Sequence, residues 1–171
     1  FECYTGIRIS DILTLKWKHI TDEKISIRMR KTEKLLTIPI NDYVRSVLDR
    51  RRCAVENNGG KITSEKYVFN ILKVDVDEVS AQDALNAISS ATAVINKQLK
   101  KIAEQTNIDK NLSTHCARHS YATALLTNNI PLPVIKEMLG HSDIKVTQIY
   151  AKVVDSKRNE VVECLNKVYH G

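Results

Sequence analysis

The spacing of hydrophobic residues changes near Asn41 and divides the chain into two regimes. Between residues 16 and 40, apolar side chains alternate with polar ones in short runs, which is typical of β-strands. After Asn41, apolar side chains recur every three or four residues, which is typical of helices that bury one face. The pattern therefore predicts an α+β fold that is mostly helical, with a small three-stranded antiparallel sheet near residues 16–20, 25–30 and 35–39.

Capping residues and glycines mark the ends of the predicted helices. Gly6 ends an initial helix, and Ser10 or Asp11 caps a short helix after it. Asn41 and Ser80 are side-chain caps for two longer helices. The longer predicted helices cover about 41–57, 80–102, 113–127, 130–139, 142–150 and 155–171.

The size, charge and cysteine content of the chain limit its function classes. A length of 171 residues suits one hydrophobic core, so we expect residues 1–171 to form a single domain. The net charge of +6 favours a polyanionic partner. The four cysteines are widely separated, which argues against structural zinc and a disulfide framework and favours a reducing, cytoplasmic compartment. No apolar run reaches membrane-spanning length, so no membrane partner is expected.

Residues that can cleave a phosphodiester lie near both ends of the chain. His115 and Arg118 are three positions apart on one predicted helix, so both project from the same face. A guanidinium pairs with phosphate through two donors and stays charged, and a tyrosine hydroxyl can act as a nucleophile. Arg8 and Arg118 are therefore candidates for holding one phosphate, with Tyr150 as the attacking group.

A metal site is one alternative interpretation of the histidines. His115 and His119 have the spacing of half a zinc-binding helix motif, but the intervening Glu of that motif is absent. No third ligand is evident, and the acidic segment 74–83 lacks the spacing of a calcium-binding loop. Because two arginines and a lysine can supply the positive charge, we predict no metal and no cofactor.

A helix-turn-helix is a second alternative, from a different functional class. The two short predicted helices on either side of Gly140 fit a non-catalytic DNA-binding regulator. This interpretation leaves Arg8, His115 and Arg118 without a role, and the second helix ends in Tyr150 rather than offering several base-reading side chains.

Five motifs together resemble the catalytic domain of the tyrosine recombinase (phage integrase) family. In chain order they are TGIRISDIL, KT in a β-hairpin, HCARHSYAT, MLGHSD, and a tyrosine nine residues after the last histidine. Their residues are similar to those of integrases of mobile elements such as conjugative transposons. The resemblance implies a site-specific DNA recombinase that cuts and rejoins strands through a 3′-phosphotyrosyl intermediate, for integration or excision of a mobile element.

The resemblance also implies roles for individual residues. Arg8 matches the first catalytic arginine, and Lys31 matches the hairpin lysine that acts as general acid on the leaving 5′ oxygen. His115 is then assigned proton transfer with the nucleophile, and Arg118 phosphate binding.

Two further positions complete the implied site. His141 matches the second histidine, which hydrogen-bonds the phosphate, and Tyr150 matches the nucleophile. The hairpin departs from the family pattern because Glu33 stands where glycine is common, which predicts a different turn and leaves Lys34 as the alternative to Lys31.

The partners implied by the resemblance are double-stranded DNA and further copies of the protein. We expect a homotetramer on DNA for the full-length protein, a monomer for the isolated chain, and accessory DNA-bending proteins as further candidate partners. The chain starts at Phe1 in what reads as a helix end, so we expect a fragment without the family's N-terminal helical domain. The apolar stripe of the last predicted helix, within 156–171, is expected to pack on its own domain or on a neighbouring protomer.

Overall fold

A computed structural model describes residues 1–141 of the chain. The helices predicted at 142–150 and 155–171, and the predicted nucleophile Tyr150, lie outside the described residues. Within residues 1–141 the predicted α+β fold is confirmed, with helices surrounding one small antiparallel sheet. In chain order the elements are α1 (Glu2–Thr5), α2 (Ile9–Leu13), a 3-10 helix (Trp17–His19), β1 (Lys24–Arg28), β2 (Leu35–Pro39), α3 (Asp42–Asn57), α4 (Ala81–Gln105), α5 (Thr114–Thr127) and α6 (Leu132–Leu139).

The sheet of the described chain has two strands rather than three. β1 and β2 pair antiparallel, with Lys24 opposite Pro39 and Arg28 opposite Leu35. The strand predicted near residues 16–20 was wrong, because Trp17–His19 forms a 3-10 helix. The Trp17 N–H donates to the carbonyl of Lys66 at 3.0 Å, so this segment pairs mainly with a distant loop, and its pairing with β1 is an isolated bridge from Ile20 to Ile25.

Alternation along the hairpin places one face of the sheet in the main core. Ile25 and Ile27 of β1 and Leu36 and Ile38 of β2 are buried, whereas their neighbours are exposed or half-buried. A second cluster joins α5 to α6, and a third joins α2 to α4. The hairpin and these helices therefore surround the segment between α1 and α2.

The predicted caps of the two longest described helices are confirmed. Asn41 Oδ1 accepts a hydrogen bond from the Val44 N–H at 3.0 Å, and Ser80 Oγ accepts one from the Asp83 N–H at 3.1 Å. The predicted cap of α2 was wrong, because the helix begins one residue after Arg8 and Asp11 lies inside it. Asp11 is buried and accepts a hydrogen bond from a different segment, so its carboxylate does not cap the helix.

Gly6 and Gly140 end α1 and α6 in the left-handed conformation, as the sequence predicts. At Gly6, with φ of 64°, an added Cβ would lie 2.4 Å from Cδ1 of Tyr121 on α5. This close approach lets α1 pack directly on α5. Among residues 1–141, none of the helices combines the length and the apolar character that a bilayer-crossing segment requires.

Replacing Gly6 with alanine is expected to destabilise the fold by about 2–5 kcal/mol, because the left-handed backbone costs roughly 1–2 kcal/mol and overpacking typically costs about 1–3 kcal/mol. Urea unfolding measures this loss. Gly59→Ala is the matched control, since Gly59 has φ of 71° but no described atom within 4 Å of the added Cβ. Equal losses in the two variants would contradict the packing constraint at Tyr121.

Candidate active site

Arg118 lies at the point where three segments of the chain meet. Its side chain is only 6% exposed, although it carries a permanent charge. The guanidinium donates hydrogen bonds to the carbonyl of Gly6, to the carbonyl of Leu139 at 2.6 Å, and to Nε2 of His141 at 3.0 Å. Arg118 therefore fixes the turn after α1 against the C-terminal end of α6.

Arg8 approaches the same region from the start of α2. The left-handed turn at Gly6 redirects the chain, and Arg8 follows in an extended conformation with its side chain half-buried. Its Nη1 donates to Sδ of Met29, at the end of β1, over 3.3 Å. The structure thus brings together Arg8, Arg118 and His141, although more than a hundred residues separate Arg8 from the other two along the chain.

The electrostatic environment of His141 reflects both guanidiniums. Burial, followed by the positive charges of Arg118 and Arg8, lowers the pKa of His141 from 6.5 to about 4. Arginine can only donate hydrogen bonds, so Nε2 of His141 accepts from Arg118 and the ring proton resides on Nδ1. His141 is therefore a neutral imidazole at physiological pH and can act as a hydrogen-bond donor through Nδ1.

Acidification is expected to destabilise the fold through His141. Between pH 6.5 and about 4 the unfolded chain binds a proton that the folded chain does not, so this contribution is complete above pH 6.5 and is lost as the pH falls toward 4. Urea midpoints measured across this window should fall more steeply for the wild type than for His141→Asn. Burial raises the pKa of Glu2 to about 7, so acidification stabilises the fold through Glu2. This stabilisation is the same in both proteins, so the difference between their slopes reports on His141. Identical slopes would contradict the assignment.

Asp11 is a site residue that sequence reasoning missed. It is 3% exposed, and its Oδ1 accepts a hydrogen bond from the Arg30 N–H at 2.9 Å. Its Oδ2 has no hydrogen-bond partner among the described residues. Burial raises the pKa of Asp11, while the Arg30 N–H and the charges of Arg8 and Arg118 oppose that rise. Asp11 therefore anchors the hairpin turn beside both guanidiniums.

A signal for Asp11 was present in the sequence. The residue lies three positions after Arg8, at helical spacing, and it is followed by the apolar residues Ile12 and Leu13. A buried acid inside a short helix is better explained as an acceptor for a donor from another segment, here the Arg30 N–H, than as a cap.

Lys31 lies in the hairpin turn directly after the anchored Arg30. Its side chain is exposed, as is that of Lys34. Glu33 adopts φ of 55°, so the turn keeps a left-handed residue even though glycine is absent. The carbonyl of Glu33 accepts a hydrogen bond from Arg28 Nη1 at 2.7 Å, and its N–H donates to the carbonyl of Met29 at 2.8 Å. These two bonds hold Glu33 in the strained conformation, where the sequence had predicted a different turn.

His115 lies on the exposed surface of α5, one turn before Arg118. Its ring meets that of His119 edge to face, with 5.8 Å between centroids. Burial, then the charges of His115 and Arg118, lowers the pKa of His119. Within residues 1–141, no group of three or more His, Cys, Asp or Glu side chains is arranged to hold a metal ion.

A groove of about 470 Å³ separates the hairpin from α6. Lys34 lines it on the hairpin side and Lys136 on the α6 side, with Gly140 and His141 at one end. The groove therefore presents two lysine side chains and Glu137, and it ends near His141, which contacts Arg118. A larger groove, of about 550 Å³, lies beside Trp17, and none of the predicted site residues lines it.

Comparison with known proteins gives a consistent assignment. Residues 1–157 match the model of the phage integrase family. The sequence is 32% identical over 154 residues to tyrosine recombinase XerD of Staphylococcus aureus strain Mu50, and the alignment covers 90% of this chain and 48% of that protein. This chain therefore spans about half the length of that relative.

Solved structures share the fold. The XerA recombinase superposes with a TM-score of 0.66 at 21% identity, over 92% of this chain and 54% of that one. The XerH recombinase in its pre-cleavage complex with difH substrate superposes with a TM-score of 0.62 at 24% identity, over 87% of this chain and 40% of that one. The family expected from the five motifs is confirmed: this chain belongs to the phage integrase family.

Proposed function

We propose that this chain is the catalytic domain of a site-specific DNA recombinase that forms a 3′-phosphotyrosyl intermediate. The observation that carries the proposal is the convergence of Arg8 and Arg118 on His141, beside the basic groove under the hairpin. Two guanidiniums and a neutral imidazole donor match the needs of a phosphate whose non-bridging oxygens gain charge during cleavage.

The proposed reaction is a transesterification without net hydrolysis. The Tyr150 oxygen attacks phosphorus and passes its proton to His115, while the bond from phosphorus to the 5′ oxygen breaks. Lys31 protonates that leaving oxygen, and Arg8, Arg118 and His141 stabilise the phosphoryl oxygens. Attack of another 5′ hydroxyl on the phosphotyrosine then rejoins the strands and releases Tyr150.

The partner we propose is double-stranded DNA, with assembly as a homotetramer on two duplexes for integration or excision of a mobile element. The structural neighbour XerH was solved bound to its difH substrate, which supports a nucleic acid partner. Accessory DNA-bending proteins are further candidate partners. The basic net charge supports the DNA partner. The thiols of Cys3, Cys53 and Cys116 are unpaired with other cysteines of the described chain, which supports a reducing compartment, and we place the activity in the cytoplasm.

Covalent capture tests this function even though the DNA site is not defined. The full protein is incubated with a pool of nicked duplexes of randomised sequence, and complexes that survive SDS are isolated and sequenced. We expect adducts enriched in one sequence from the wild type and none from Tyr150→Phe. Sequence-specific binding without any adduct would instead support the helix-turn-helix regulator, and equal adduct yields from both proteins would overturn the role of Tyr150.

A further inference from the structure

Met29 directly follows β1, immediately before the hairpin turn. Its N–H donates to the carbonyl of Lys34 at 2.9 Å, and its carbonyl accepts from the Glu33 N–H at 2.8 Å. The side chain is 1% exposed and belongs to the main core. The backbone and the packing therefore fix where its sulfur lies.

That sulfur contacts the guanidinium of Arg8. Arg8 Nη1 donates to Met29 Sδ over 3.3 Å, and the hydroxyl of Thr32 lies 3.9 Å from the same sulfur. A thioether is a weak, uncharged acceptor. It can orient a guanidinium without neutralising the charge, whereas a carboxylate in that place would compete with phosphate.

The same side chain also supports the turn that carries His141. A Cβ added to Gly140 would lie 2.4 Å from both Sδ and Cε of Met29, so Met29 occupies the space that a larger residue at 140 would need. The end of the Met29 side chain therefore lies between Arg8 on one side and the Gly140–His141 turn on the other.

We propose that Met29 is a positioning residue that holds the Arg8 guanidinium in its phosphate-binding orientation through the sulfur contact. The same side chain packs against the Gly140–His141 turn, so it fixes the position of Arg8 relative to His141. The inference rests on the recombinase function proposed above. Removing the sulfur while keeping the shape should leave DNA affinity within about twofold and lower the single-turnover cleavage rate about tenfold, because misplacing a catalytic group affects the chemical step most.

Replacement of methionine by norleucine provides the sharpest test, since norleucine has a methylene in place of the sulfur. Residues 1–171 contain two methionines, Met29 and Met138, so Met138→Leu serves both as the matched control and as the background in which Met29 is the one position of these residues that norleucine replaces. Cleavage and binding are measured with the duplex recovered by covalent capture, and thermal unfolding checks that the packing is retained. Met29→Leu provides a second variant without sulfur.

A structural readout accompanies the rates. With methionine methyl groups labelled with ¹³C, Arg8→Lys should shift the Met29 methyl signal and leave that of Met138 in place, and Gly140→Ala should also shift the Met29 signal. Wild-type cleavage rates in the norleucine protein and in Met29→Leu would overturn the inference while leaving the recombinase function intact. A Met29 methyl signal that is unchanged in Arg8→Lys would also overturn the inference. Failure of the wild type to form any adduct would instead overturn the proposed function, and the inference with it.

Discussion

Replacing Arg118 with lysine is expected to lower the rate of adduct formation about a hundred- to a thousandfold, the usual loss when one preorganised donor to a developing charge is removed. Lysine keeps the charge but cannot reproduce the planar fork that reaches Gly6, Leu139 and His141 together. The His141 ring would then lose the donor that sets its tautomer. Single-turnover cleavage at saturating DNA measures the effect.

The control for Arg118→Lys is Arg50→Lys on the exposed face of α3. It makes the same chemical change and should leave the rate unaltered. Arg118→Ala is less informative, because it leaves the carbonyls of Gly6 and Leu139 without their donor and is expected to lower stability as well. Cleavage by Arg118→Lys within about threefold of wild type would contradict the catalytic role of Arg118, because lysine cannot reproduce the planar fork.

Replacing Lys31 with alanine is expected to lower the cleavage rate by about 10²–10⁴, the range typical of a lost general acid. Lys31 follows Arg30, whose N–H donates to Oδ1 of the buried Asp11, so the turn that carries the lysine is anchored on a carboxylate close to Arg8 and Arg118. The loss should be rescued by a substrate in which sulfur replaces the leaving 5′ oxygen, because a thiolate leaves without being protonated.

Lys34→Ala is the matched control for Lys31→Ala, since both lysines are exposed in the same hairpin and Lys34 lines the neighbouring groove. It should weaken DNA binding modestly and respond equally to the oxygen and sulfur substrates. The opposite result, with rescue of Lys34→Ala and not of Lys31→Ala, would assign the acid to Lys34.

Much of the fold was predictable because it depends on local signals. Asn41 and Ser80 cap helices through bonds to residues three positions away, and the alternation in β1 and β2 is visible within five residues. The strand predicted near residues 16–20 was wrong because the Trp17 backbone finds its partner at Lys66, almost fifty residues later. A hydrogen bond between segments so far apart leaves no pattern in the local sequence.

In the candidate site, too, local motifs were predictable and contacts between distant segments were not. The predicted site residues of the described chain lie within recognisable motifs, so sequence could nominate Arg8, Lys31, His115, Arg118 and His141. Asp11 and Met29 are defined by contacts with Arg30 and Arg8 that join distant segments, and their residue types alone indicate a cap and a core residue. Glu33 was misjudged for a similar reason, because Arg28 and Met29 supply the bonds that hold its left-handed backbone.

The position of the DNA linkage within the protein tests the central claim most directly. After covalent capture, nuclease and trypsin digestion leave a nucleotide on the attacked residue, and mass spectrometry locates it. We expect a modified peptide spanning 146–152, with the nucleotide on Tyr150 through its 3′ phosphate. A nucleotide found on any other residue, or a captured complex without a covalent nucleotide, would contradict it.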